Sequence, residues 1–261
     1  MLEKKYECFD VEIENDIAHI RMNRPEKLNS MNRAFWNDLP EIVEDIDINA
    51  RARVIVISST GKHFSAGMDL SVFAPQPNNK IDGADKHVIA EMFRSNVKRI
   101  QHSFNALEEA RIPVLFALHG AVIGGETNIG MTADVGTFPR LQRYIPEGWV
   151  KEMAYTGRRI DAAKAKEIGL VNDVFETQEE CLAYVMATAK EIASKSPLAV
   201  TGCKVLINYG RDHDTADTLD YIGVWNAGMF PPSHIQEAVA AMGEKREPDF
   251  PDLLPLRTTP M

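Results

Sequence analysis

Two acidic side chains, Glu126 and Asp134, lie eight residues apart in the segment ETNIGMTADVGT. They follow the apolar run PVLFALHGAVIGG, which has the composition of a buried strand and ends in two glycines. Glycines at a strand end leave main-chain N–H groups open to a ligand, and carboxylates are good proton-transfer groups. Such a site can stabilise an oxyanion and move protons beside it. The arrangement predicts proton transfer along the carbon skeleton of an acyl compound whose carbonyl becomes an enolate.

A second glycine-containing segment, GKHFSAGMDL at 61–70, follows the β-branched run VIVIS at 54–58. Its small residues let the backbone approach a ligand closely, and we expect the N–H of Met68 to point at a carbonyl oxygen. One N–H from this segment and one from GAVIGG would form an oxyanion hole. Each segment alone is also compatible with an ordinary glycine-containing turn. We expect His63 and His119 to support these loops, since nothing nearby forms a nucleophilic triad.

The elements that would position these loops form a mixed α/β pattern. Strands are predicted at 6–14, 17–22, 54–58 and 115–118. Long helices are predicted at 31–48 and 87–110. The first two strands flank Asn15 and Asp16 and read as a hairpin, and Pro40 predicts a kink or a break in the first helix. The order strand, loop, helix, strand, loop is typical of a core whose active loops leave the strand ends.

Helices dominate the sequence after Tyr144. We predict them at 147–155, 161–168, 178–194, 197–208, 214–229 and 233–243, with one short strand at 170–175. The change from strands to helices divides the chain into two parts. Residues 1–190 form a core that contains the predicted site, and residues 191–261 form a C-terminal helical oligomerisation region. The apolar residues of the second part exceed what a lone helical tail could bury, so we expect it to pack on the core or on another subunit.

Composition excludes several classes of partner. The net charge is −9, whereas nucleic acids and anionic membranes select for basic surfaces. Three widely spaced cysteines fit no metal-ligand spacing and are expected to be reduced. The N-terminal residues lack the apolar run of a signal peptide, and no stretch reaches the roughly 18 apolar residues of a membrane span. We therefore expect a cytoplasmic protein.

Four segments in order resemble the crotonase (enoyl-CoA hydratase/isomerase) superfamily. They are NRPEKLNSMN at 23–32, GKHFSAGMDL at 61–70, HGAVIGG at 119–125 and TGRRIDAAKAKEIGLVNDVF at 156–175. The resemblance runs from about residue 10 to about residue 230 and implies an α/β fold, a spiral of ββα units with a C-terminal helical trimerisation region. It also implies an acyl-CoA substrate, a homotrimer or hexamer, and no metal or redox cofactor.

The same resemblance implies roles for individual residues. The oxyanion hole would use the N–H groups of Met68 and Gly125. Coenzyme A would lie along basic and apolar positions of the first two segments, namely Arg24, Lys27, Leu28, Lys62 and Ala66. The basic members of this set are equally compatible with solvated surface charges.

The acidic pair, Glu126 and Asp134, narrows the choice of reaction within the superfamily. Glu126 matches the glutamate that hydratases and several isomerases use for proton transfer, and Asp134 stands where typical hydratases have glycine. ETNIGMTADVGTFPRL resembles the Δ3,5-Δ2,4-dienoyl-CoA isomerase branch, in which both acids are catalytic. Moving a 3,5-diene into 2,4-conjugation removes a proton at C2 and adds one at C6, which one carboxylate cannot easily serve. We favour Asp134 as the base and Glu126 as the acid.

Other interpretations remain open. Glu126 could serve hydration of a 2-enoyl-CoA, or the chain could be an inactive acyl-CoA-binding homologue. Asp134 could instead be a helix N-cap.

The resemblance also predicts a strand and a helix between Gly125 and Glu126, on the order of 25 residues that the sequence does not contain. We expect these residues to have been omitted from the sequence rather than deleted from the protein. Adjacent Cα atoms about 3.8 Å apart would indicate a continuous chain.

Overall fold

The computed structural model describes residues 4–73, 83–123 and 130–256. Its sheet has four strands in the order β1-β2-β3-β4, with β1 and β2 antiparallel and the other two pairs parallel. The strands are β1 Phe9–Glu14, β2 Ile17–Met22, β3 Val54–Ser59 and β4 Val114–Phe116. The predicted hairpin is confirmed. Its two turn residues, Asn15 and Asp16, have φ of 51° and 63°, the left-handed values that a two-residue turn of this kind requires.

Helices make up most of the remainder. They are α1 Arg33–Ile48, α2 Lys86–Glu109, α3 Thr137–Leu141, α4 Glu147–Thr156, α5 Ala162–Glu167, α6 Gln178–Ala193, α7 Pro197–Tyr209, α8 Thr215–Met229 and α9 Pro232–Glu244. No helix in the described part of the chain combines the length and apolar character that a membrane span requires. The long helices and the C-terminal series agree with the sequence prediction.

Strand β3 is buried on both faces, which explains its uninterrupted apolar sequence. Successive side chains of a strand point to opposite faces. Ile55 and Ile57 therefore join the main core beneath α1 and α2, while Val54 and Val56 pack against α6. This two-sided burial fixes the strand whose carboxyl end leads into GKHFSAGMDL.

Helix α1 is continuous through Pro40, so of the predicted kink or break the break is wrong and the kink stays a prediction. A proline inside a helix has no N–H for the carbonyl four residues earlier, here that of Trp36. The hydroxyl of Ser103 in α2 donates a hydrogen bond to this carbonyl at 2.8 Å, and Ser103 is fully buried. A long-range partner thus replaces the missing helical hydrogen bond.

The predicted strand at 170–175 is also wrong. Residues 170–172 form a bend and residues 173–175 are irregular, and Leu170 and Val174 are exposed. A strand needs a neighbouring sheet edge, and the sheet within the described residues does not pair with this segment. The segment LVNDVF therefore has no strand partner among the described residues.

The C-terminal tail returns to the sheet. The Arg53 guanidinium donates hydrogen bonds to Asp252 at 2.6 Å, to the Phe250 carbonyl at 2.8 Å and to the Ala193 carbonyl at 3.0 Å. Phe250 is buried beneath this contact. The tail and the core are thus in direct contact, and the division at residue 190 stays a prediction.

Lys204 of α7 is half-buried against α2. Its ammonium group donates hydrogen bonds to the carbonyls of Leu107 at 2.9 Å and Ile112 at 2.8 Å. Burial lowers the pKa of Lys204 to about 8, although the nearby carboxylates of Asp47 and Glu108 oppose the shift. The folded chain therefore favours the neutral amine more strongly than the unfolded chain does.

We expect this pKa difference to make stability depend on pH. Because the folded pKa lies below the unfolded one, the unfolded chain binds more protons between about pH 8 and pH 10, and stability rises with pH across that window. Urea unfolding of the wild-type chain and of Lys204→Met across this range measures the effect. The free energy of unfolding of the wild type should rise relative to that of the variant; parallel profiles would contradict the assignment.

Candidate active site

The two glycine-containing segments lie side by side at the carboxyl ends of β3 and β4. The N–H of Phe64 donates to the carbonyl of His119 at 2.9 Å, and that of Ser65 donates to Ala121 at 3.2 Å. The N–H of Ile123 returns a hydrogen bond to the carbonyl of Ser65 at 3.0 Å. Parallel neighbouring strands deliver their following loops to one edge of a sheet. The structure therefore brings together the segments that were predicted to supply the oxyanion hole.

Gly67 makes a left-handed turn in the first of these loops, with φ of +86°. A Cβ atom here would lie 2.7 Å from the carbonyl oxygen of Ile123, so the close approach of the loops requires glycine. The N–H of Met31 donates to Gly67, and the N–H of Asp69 donates to Met31. The N–H of Met68 lies between these two bonds, and none of the described residues accepts a hydrogen bond from it. It is thus a main-chain donor available to a ligand.

The side chain of Asn29 stabilises the loop that follows β3, and this role was not predicted from the sequence. Its side chain is almost fully buried, with 1% of the residue exposed. The amide nitrogen donates to the carbonyls of Thr60 at 2.8 Å and His63 at 3.0 Å, and the amide oxygen accepts from the N–H of Arg24 at 2.9 Å. One side chain therefore ties together both ends of the loop that follows β3 and the loop that follows β2.

Ser65 links Asn29 to the Gly67 turn. Its hydroxyl donates to the carbonyl of Asn29 at 2.9 Å and accepts from the N–H of Gly67 at 3.1 Å. Sequence reasoning treated Ser65 only as a small residue. A sequence signal for Asn29 was present in NRPEKLNSM. Asparagine is one of the few residues other than glycine that readily adopt a left-handed conformation, and Asn29 has φ of 51°.

Arg24, a predicted coenzyme A contact, points into the protein. Its guanidinium donates to the Ser30 carbonyl at 2.8 Å and to the Asp69 carboxylate at 3.4 Å, and only 15% of the side chain is exposed. Hydrogen bonds from Ser71, and then from Ser30 and Arg24, lower the pKa of Asp69. In this position Arg24 holds two loops together.

The other predicted coenzyme A residues lie around the same loops. Lys27, Leu28 and Lys62 are exposed, while Ala66 is half-buried. The N–H of Ala66 donates to the carbonyl of Leu28 at 2.9 Å, which places these two residues in contact. The exposed lysines are accessible to an anionic ligand, and their role in coenzyme A binding stays a prediction.

The two histidines support the loops, as the sequence predicts. The N–H of Ala121 donates to Nδ1 of His63 at 3.1 Å. Nε2 of His119 is 3.0 Å from the carbonyl of Gly61, to which it donates. Each imidazole therefore connects one of the paired loops to the other.

Asp134 is half-buried in the segment that precedes α3. The N-cap of α3 is Gly136, so the alternative that Asp134 caps this helix is wrong. The adjacent Val135 packs against the main core. Gly125 and Glu126, the other predicted oxyanion donor and the other predicted acid, lie outside the described residues, and so does the junction between them.

Comparison with known proteins identifies the family. The sequence profile described as "Enoyl-CoA hydratase/isomerase" matches residues 12–135 and 125–253. The chain belongs to this family. The chain is therefore an enzyme of the acyl-CoA hydratase/isomerase class, and the resemblance read from its four sequence segments is confirmed.

Individual relatives agree with this membership. The chain is 35% identical to the mitochondrial "Delta(3,5)-Delta(2,4)-dienoyl-CoA isomerase" of Mus musculus over 93% of this chain and 81% of that protein. It is 32% identical to the peroxisomal protein of the same name from Arabidopsis thaliana, over 96% of this chain and 98% of that protein. The solved structure of an enoyl-CoA hydratase from Bacillus anthracis superposes with a TM-score of 0.81 at 27% identity, over 94% of this chain and 99% of that chain. The predicted crotonase-like fold class is confirmed.

The alignment with the mouse protein bears on the size of the predicted gap. The alignment with the mouse protein spans 269 positions, while 93% of 261 residues is about 243, which leaves about 26 positions without a counterpart in this chain. The two profile matches meet at residues 125–135. This shortfall agrees in size with the predicted gap of on the order of 25 residues. Its place between Gly125 and Glu126, and the omission rather than deletion of these residues, stay predictions.

Proposed function

We propose that the chain converts 3,5-dienoyl-CoA thioesters to their 2,4-dienoyl isomers in the β-oxidation of fatty acids. The observation that carries the proposal is the Met68 N–H, which has no acceptor among the described residues and belongs to a loop held rigid by Asn29 and Ser65. A preorganised main-chain donor of this kind stabilises the oxyanion of an enolate. In the proposed site the N–H of Gly125 is the second donor.

The isomerisation moves protons only. One carboxylate removes the proton at C2, the electrons spread into a dienolate whose oxygen accepts the two main-chain hydrogen bonds, and the second carboxylic acid delivers a proton to C6. Asp134 takes the first role and Glu126 the second in this proposal. The half-buried position of Asp134, with its carboxylate not used to cap α3, supports its availability for this step. The reaction as written needs no metal and no redox cofactor.

The identity to proteins named as dienoyl-CoA isomerases favours this reaction within the family. A second candidate is hydration of a 2-enoyl-CoA, which the likeness to the Bacillus anthracis hydratase supports. A third candidate is an inactive acyl-CoA-binding homologue. A true deletion of the about 26 aligned positions that this chain lacks would favour the third candidate.

A substrate comparison distinguishes the three candidates. Purified protein is incubated separately with a 3,5-dienoyl-CoA and a 2-enoyl-CoA, and the absorbance of the conjugated dienoyl thioester or of the enoyl thioester is followed. We expect the dienoyl signal to rise and the enoyl signal to remain. Loss of the enoyl signal without dienoyl conversion identifies a hydratase, and saturable binding of both thioesters without turnover identifies a binder.

We further propose assembly as a homotrimer or hexamer through the C-terminal helices. Large apolar side chains are exposed on α8 and α9, namely Leu219, Val224, Met229, Ile235, Val239 and Met242. Apolar exposure of this extent on two neighbouring helices favours burial against another copy. Sedimentation velocity measures the assembly, and a monomer at micromolar concentration contradicts it. The cytoplasmic location stays a prediction, since the two dienoyl-CoA isomerases are named mitochondrial and peroxisomal.

A further inference from the structure

The segment that carries Asp134 has little main-chain support. Among the described residues, no backbone-to-backbone hydrogen bond joins residues 130–136 to any other part of the chain. A segment without such bonds takes its conformation from side-chain contacts. Val135 packs on the main core, which anchors the segment without fixing the orientation of the neighbouring peptide groups.

Helix α2 supplies the polar contacts to this segment. Gln101, Asn105 and Glu108 are spaced four and three residues apart and so lie on one face of the helix. Nε2 of Gln101 donates to the carbonyl of Asp134 at 2.6 Å. Farther along the same face, Arg140 donates to Asn105 at 2.7 Å and to Glu108 at 2.9 Å.

These contacts act on different residues of the segment. Arg140 also reaches the Gly136 carbonyl at 3.4 Å, so it holds the start of α3. Gln101 is the described residue that bonds to Asp134 itself. Fixing the carbonyl of Asp134 restrains the peptide plane that follows its Cα, and so limits the backbone rotations that would move the carboxyl group.

We infer that Gln101 is a positioning residue that holds the Asp134 carboxyl in its reactive orientation. The inference rests on the proposed function, because it assigns Gln101 a role only through the proton transfer of Asp134. A displacement of about 1 Å at a catalytic group can cost on the order of a hundredfold in rate. Loss of this hydrogen bond should therefore lower turnover while leaving the binding of the acyl-CoA intact.

The test replaces Gln101 by methionine, which keeps the length of the side chain and removes its donor. Gln178→Met is the matched control, since Gln178 is also half-buried and also donates its amide to a main-chain carbonyl, that of Ser59 at 3.2 Å. We expect Gln101→Met to lower kcat by roughly tenfold to thirtyfold with KM within about twofold, and Gln178→Met to change kcat by less than about twofold.

A double-mutant cycle separates positioning from general support of the fold. In the Asp134→Asn background, Gln101→Met should reduce the residual kcat by less than about twofold, because a positioning residue has no further effect once its target is removed. An equal loss in both backgrounds overturns the inference, and so does unchanged kcat in the single variant. If Asp134→Asn itself leaves dienoyl conversion unchanged, or the wild type has none, the proposed function fails and the inference fails with it.

Discussion

Replacing Asp134 by asparagine should lower the turnover of a 3,5-dienoyl-CoA by about a thousandfold, since a positioned proton-transfer group contributes on the order of 10²–10⁴ in rate. Asparagine has nearly the same shape as aspartate and cannot remove a proton. The carboxyl is not the cap of α3, so the replacement removes no helix-capping hydrogen bond. KM should change little, because the acyl-CoA is held mainly by other residues in the proposed site.

Stopped-flow measurement of the conjugated diene gives kcat for the Asp134→Asn variant. Asp85→Asn is a suitable control, because Asp85 is exposed and caps α2 through an oxygen that asparagine retains, accepting from the N–H of His87 at 2.7 Å. The control should keep the wild-type rate. Equal rates for the wild type and Asp134→Asn would remove Asp134 from the mechanism, and equal losses in both variants would point to a nonspecific charge effect.

Replacing Gly67 by alanine should lower kcat by about a hundredfold or more, the typical cost of losing one oxyanion donor. The added Cβ would lie 2.7 Å from the carbonyl oxygen of Ile123, so the two loops must separate. The N–H of Met68 is the next donor along the chain and would move with the turn. The loss should appear in kcat more than in KM, because an oxyanion donor acts chiefly in the transition state.

Gly83→Ala separates this effect from simple backbone strain. Gly83 has φ of +85°, nearly the value of Gly67, and an added Cβ there meets no atom of the described residues within 4 Å. Both variants therefore have a similar conformational cost, and only Gly67→Ala has the steric conflict. Unfolding midpoints and kcat should be measured for both. A similar fall in kcat for the two variants would contradict a specific role for the Gly67 turn.

The parts of the fold predicted from the sequence depend on local patterns. The hairpin could be predicted from Asn15 and Asp16, whose residue types favour a left-handed turn. Strand β3 could be predicted from its continuous apolar sequence, which is typical of a strand that is buried on both faces. The continuity of α1 could not be predicted. It depends on Ser103, which is distant in sequence and donates to the carbonyl that Pro40 leaves without its helical donor.

The residues of the candidate site also differ in whether the sequence indicates them. Met68 could be found because the glycine at position 67 marks a close approach of backbone. Gln101 could not, because its hydrogen bond goes to a main-chain carbonyl, which every residue type carries. For Asn29 the sequence offers only the left-handed preference of asparagine, which does not reveal the carbonyls to which its amide donates. A sequence pattern therefore indicates where a loop must be tight, and the structure is needed to identify the side chains that hold it there.

The contacts of Arg53 with the tail can form only after Phe250 and Asp252 have been synthesised. Arg53 and Asp252 are separated by 199 residues, and at roughly 5–20 residues per second the ribosome needs about 10–40 s to make the chain between them. During that interval the hairpin and β3 have already been synthesised, while the Phe250 carbonyl and the Asp252 carboxylate, which accept hydrogen bonds from Arg53, have not. The early strands of the nascent chain are therefore without these contacts for about 10–40 s, and a chain truncated before Phe250 never acquires them.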